Sequence, residues 1–150
     1  MIQQETYTEL ESKQPDLGCQ IVGMKVLDFE LKSKRVINKE NIGFGIELKH
    51  NISQDGNIDV DIKVSMNDGN VDNPLCSINI DYNFKLLGYK EWLDFNNHSS
   101  GTLPMDIVNI MNGIAVSTSR GVMFTKQQGT FLEGICIPII DLASLHQQPA

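Results

Sequence analysis

Histidine and cysteine are the residue types here best suited to hold a metal or act as nucleophiles. The chain has three of each: His50, His98 and His146, and Cys19, Cys76 and Cys136. Zinc sites built from local pairs place two ligands two to five residues apart. No two of these six are that close. A thiol nucleophile also needs a histidine beside it in space. Cys76 falls on the apolar side of an alternating pattern and Cys136 lies in an apolar run, so both read as core residues. An odd number of widely spaced cysteines reads as reduced thiols, not as a disulfide framework.

The run Asp55-Gly56-Asn57-Ile58-Asp59-Val60-Asp61 superficially matches a calcium loop. Its twelfth position is Met66 instead of glutamate, and its sixth is not glycine. The alternation instead puts Asp59 and Asp61 on the wet face of a strand. "NGIAVSTSRG" lacks the lysine of a phosphate-binding loop and follows no strand. These readings point away from an enzyme, a metal site or a cofactor.

The elements around these residues are informative. A chain of 150 residues is expected to form a single domain over 1–150, with residues 1–17 loosely ordered. Val26 to Lys32 alternate, with Leu27, Phe29 and Leu31 on an apolar face and Val26, Asp28, Glu30 and Lys32 opposite. "SKRVINKEN" then reads as a connection. Three clear strands follow, carrying Ile42 to Ile52, Ile58 to Met66, and Cys76 to Leu86 at period two. "QDGN" and "NDGN" are the turns between them. Four antiparallel strands with one apolar face need a cover from the second half of the chain.

Residues 87 to 102 read as a loop bearing Tyr89, Trp92 and Phe95. A helix follows, with Pro104 and Asp106 in its first turn and apolar residues recurring at three- and four-residue steps. Arg120 and Gly121 read as its end. An apolar linker over 122–137 comes next, then Pro138 and a short terminal helix with Asp141 as a possible cap. The fold class expected is α+β: a four-stranded antiparallel sheet covered on one face by a long helix and a short C-terminal helix.

Composition narrows the partners. The formal charge is −7, from 19 acidic and 12 basic residues. That lacks the basic excess nucleic-acid binding requires. No secretory leader pattern opens the sequence, and no segment approaches the ~20 apolar residues of a membrane-crossing helix. A soluble, cytoplasmic protein is expected. Its apolar side chains on glycine-punctuated loops suit a promiscuous binder of extended chains.

"NGIAVSTSRG" followed by "GTFLEGICIPIIDL" resembles the C-terminal part of the protein-export chaperone SecB family. "KVLDFELK", with its Phe29-Glu30 pair, is similar to that family's first strand, and the order of elements matches over residues ~19–148. The resemblance implies a homotetramer, a dimer of dimers. It would act as an ATP-independent holdase for unfolded polypeptides, either preproteins or one dedicated client. It also implies delivery to the export machinery through the SecA motor. The client groove would draw on Trp92, Phe95, Phe124, Phe131, Leu132, Ile135, Ile139 and Leu142. The acidic partner face would carry Asp28, Glu30, Asp68 and Asp72. Val26 stands where the family has an acidic companion to Glu30, with Asp28 as the substitute. Two other readings stay open: a carrier of a small apolar ligand, and a non-chaperone oligomeric adaptor.

Overall fold

A computed structural model of the protein describes residues 16–32, 37, 39–53, 55–95 and 103–139. Four strands, β1 (Gly18–Leu31), β2 (Gly43–Ile52), β3 (Asn57–Asn67) and β4 (Cys76–Leu87), form one antiparallel sheet in the order β1-β4-β3-β2. Two helices follow, α1 (Tyr89–Phe95) and α2 (Met105–Lys126). The fold is α+β, as the periodicities predict. The expected C-terminal helix and Asp141 lie outside the described residues, as do residues 1–15.

The register explains the core. Ile58, Val60, Ile62, Val64 and Met66 of β3 stand opposite Phe84, Tyr82, Ile80, Ile78 and Cys76 of β4. All ten are fully buried, and period-two alternation puts them on one face. Each large apolar side chain so buried contributes about 1.5–3 kcal/mol. Helix α2 lies over this face, sealing it with Ile107, Met111, Ala115, Val116 and Met123. Gly56, at φ +81°, closes the β2–β3 turn that "QDGN" predicts. A Cβ there would also approach the Tyr89 ring to 2.9 Å.

Three expectations need correction. First, α2 does not end at Arg120-Gly121 but runs to Lys126. Its buried stripe Met111–Ala115–Ser119–Met123 continues at four-residue spacing past the glycine, and that packing outweighs the roughly 1 kcal/mol a helical glycine costs. The actual stop is Gln127, followed by Gly129 at φ +77°. Second, residues 89–95 are helix, because Tyr89 and Trp92, three apart, both bury against the core and stack on each other. Third, β1 carries two bulges, between Ile21 and Gly23 and between Val26 and Asp28. A bulge adds one residue and flips the alternation. Val26 therefore pairs with Ile80 on the apolar face, beside Met24 and Phe29, and not with the polar residues.

Candidate functional site, an uncovered apolar surface

Helix α2 covers β3 and β4 and leaves much of β1 open. On the apolar face of β1, Ile21, Met24 and Val26 keep 42%, 44% and 36% of their surface exposed, and Leu31 is also exposed. The extra residues at the bulges, Val22 and Leu27, are exposed as well. A contiguous apolar strand face of this kind marks an interaction surface more often than chance exposure does. Sequence reasoning missed it by expecting a long helix and a short C-terminal helix to cover the whole apolar face of the sheet. The signal was present: Val22, Met24, Val26 and Leu27 give β1 more apolar residues than one covered face requires.

Helix α2 contributes the rest. Ser117, Thr118, Gly121, Val122, Thr125 and Lys126 line an open groove of about 530 Å³. At its end Lys126 Nζ stands 5.9 Å from the centre of the Phe29 ring of β1, a cation–π contact. Small side chains at 117, 118 and 121 make the depression. Ile110 and Phe124 are exposed on the same helix.

The segment after α2 is tied down. Thr130 donates through its backbone N–H and its hydroxyl to the Gln127 carbonyl. Leu132 and Ile137 are buried, and Arg120 Nη2 donates to the Pro138 carbonyl at 3.1 Å. The predicted groove residues therefore divide. Trp92, 4% exposed, and Leu132 are core residues of this chain. Phe131 and Ile135 are half-buried against the core. Phe124 is exposed on α2, and Ile139 is 93% exposed. Phe95 is the last residue of α1, and Leu142 lies outside the described residues.

The opposite sheet face is polar. Asp28 and Glu30 are exposed there, opposite Asn79 and Ser77, so the bulges leave the two acids on one face. Asp68 and Asp72 are exposed in the β3–β4 turn. At the centre Asp61 pairs with Asp81, and Asp81 with Lys25. Burial, then the charges of Asp59 and Asp61, push the Asp81 carboxyl up, against the pull of Lys25. Among the described residues no His, Cys, Asp and Glu side chains group to hold a metal ion. None of the described helices is long and apolar enough to cross a membrane.

No known protein-family profile matches the chain. No curated protein matches it significantly. Among solved structures, it is similar to the SecB-like chaperone Rv1957 of Mycobacterium tuberculosis, in complex with a ChAD peptide from the Rv1956 HigA1 antitoxin. The two share 11% identity over 82% of this chain and 91% of that one, with a TM-score of 0.48.

Proposed function

We propose that this protein is an ATP-independent holdase chaperone of the SecB type, binding unfolded polypeptides through apolar grooves. The observation that carries this reading is the uncovered face of β1, adjoined by the groove along α2. Extended chains expose scattered apolar side chains, each worth about 1.5–3 kcal/mol on burial before ordering costs. Ile21, Met24, Val26, Phe124 and Ile139 are the exposed partners, while Trp92 and Leu132 are buried in the core. Several weak contacts along one client raise its effective concentration at the next, so binding competes with aggregation without nucleotide chemistry. Assembly as a tetramer, residence in the cytoplasm and hand-over to the SecA motor through Asp28 and Glu30 belong to the same proposal, and rest on the sequence resemblance. The carrier reading is less favoured. The layer between sheet and helix, where a ligand would sit, is filled by Ile62, Ile80, Met111, Ala115 and Met123.

The test is suppression of aggregation of slowly folding clients in the absence of nucleotide. Wild type should suppress, and Met24→Ser/Phe124→Ser at the same oligomeric state should lose most of the effect. Failure of the wild type across several unrelated clients rejects a general holdase. Retained protection by the double variant rejects this surface.

A further inference from the structure

The uncovered apolar surface carries a single charge, and we infer that it selects extended segments in which a carboxylate follows apolar side chains at alternate positions. Such selection presupposes the client-binding role proposed above and names the class of client. Cys19, Ile21, Met24, Val26, Phe29 and Leu31 form the apolar face of β1, and none is charged. The groove along α2 is lined by uncharged side chains until it closes on Lys126. The whole chain has a formal charge of −7, yet none of these lining residues is acidic.

Lys126 is placed to receive an anion. It is exposed, and its ammonium lies 5.9 Å from the centre of the Phe29 ring, which holds it at the junction of helix and strand. Among the described residues no carboxylate pairs with it. The helix-end carbonyls that could engage a lysine there accept elsewhere. Met123 accepts from the Gln127 N–H, Thr125 from the Gln128 N–H, and Phe124 from the Gln128 side-chain amide. Arg120, the other cation of α2, donates to the Pro138 carbonyl. A carboxylate arriving at Lys126 gains an ion pair beside an apolar wall, where less water screens it. A client lysine meets like charge instead. Length sets the register. Ser117 to Lys126 rises about 13 Å along the helix. Met24 to Phe29 run beside Tyr82 to Ile78, also a span of about 13 Å. An extended chain covers that distance in about four residues, and its alternate side chains face the same way. The favoured segment therefore has apolar side chains two apart and an acid two residues further on.

Fluorescence anisotropy with the full chain at about 0.15 M salt, which screens distant charges, tests this. The probe is a labelled serine-rich peptide carrying leucine, phenylalanine and a variable third residue at alternate positions, made in both chain orders. Wild type should bind the aspartate peptide about fivefold more tightly than the asparagine peptide, and the lysine peptide more weakly still. Lys126→Glu should invert the order of the two charged peptides, and Lys126→Gln should level all three. Inversion depends on the local charge, so altered folding cannot produce it. Equal affinities in wild type, a preference for lysine, or a preference unchanged by Lys126→Glu would each overturn the proposal while leaving client binding intact. Binding of none of the three peptides would reject the client role itself, and this specificity with it.

Discussion

The hydroxyl oxygens of Tyr82 on β4 and Ser119 on α2 lie 2.8 Å apart, and both residues are sealed from water. This bond ties the helix to the sheet inside the buried layer between them. Removing either partner strands a buried hydroxyl or leaves a gap. Tyr82→Phe and Ser119→Ala should each destabilise by about 1–2 kcal/mol. The double variant should cost less than the sum by at least ~0.5 kcal/mol. Urea unfolding of the four proteins measures this coupling. Additive losses would show that the two hydroxyls do not act as a pair.

Two glycines should respond oppositely to the same change. Gly121 lies inside α2, and a Cβ there meets nothing within 4 Å. Gly121→Ala should raise stability by about 1 kcal/mol. Gly129 has equally open space but sits at φ +77°, where a side chain strains the backbone. Gly129→Ala should lower stability by about 1–2 kcal/mol. Thermal midpoints with helical ellipticity decide it; destabilisation at Gly121 would place the helix end where the sequence suggested.

That contrast shows where the sequence was legible. Strands β2, β3 and β4 follow from period two, because each has one apolar face and no inserted residue. The bulges of β1 leave composition unchanged and only flip parity, so Val26 is misplaced by alternation alone. Arg120-Gly121 is a sound local stop signal, overridden by Ser119 and Met123, which bury on the side of the helix facing the sheet. The candidate surface was hardest to foresee. Exposure of Ile21 and Met24 depends on which strands the helix covers, and pairing order decides that. Burial of Trp92 likewise depends on the seven-residue helix that carries it.

Asp81 should be a net cost at neutral pH. Burial comes first, then Asp59 and Asp61, in holding its carboxyl above the usual range. The folded state thus binds this proton more tightly than the unfolded chain does. Above the folded pKa the charge destabilises, and the penalty is relieved as pH falls through that value. Asp81→Asn should therefore stabilise by a few tenths to about 1 kcal/mol at pH 7. The gain should shrink in mild acid. Denaturation at pH 7 and pH 4 tests both the sign and the trend; a loss at pH 7 would mean that Lys25 outweighs the two aspartates.

The three thiols should separate by chemistry. Cys136 is exposed, Cys19 is half-buried, and Cys76 is buried on β4 opposite Met66. Burial pushes the Cys76 thiol from an ordinary 9.0 up to about 11, and raises Cys19 as well. The thiolate is the reactive form, so alkylation at pH 8 should label Cys136 first, Cys19 more slowly, and Cys76 only on unfolding. The same shift sets an alkaline limit to stability. Between pH 9 and 11 the unfolded chain loses the Cys76 proton while the folded one keeps it, so stability falls as pH rises. The loss amounts to up to about 2–3 kcal/mol. Cys76→Ala removes that contribution, so its stability should decline less over this window than the wild type's. Buried Tyr82, whose hydroxyl burial also pushes up, adds to the decline in both proteins and cancels from the difference. Equal alkaline slopes for the two, or labelling of Cys76 in the folded protein, would mean that β4 opens to solvent far more readily than its packing implies.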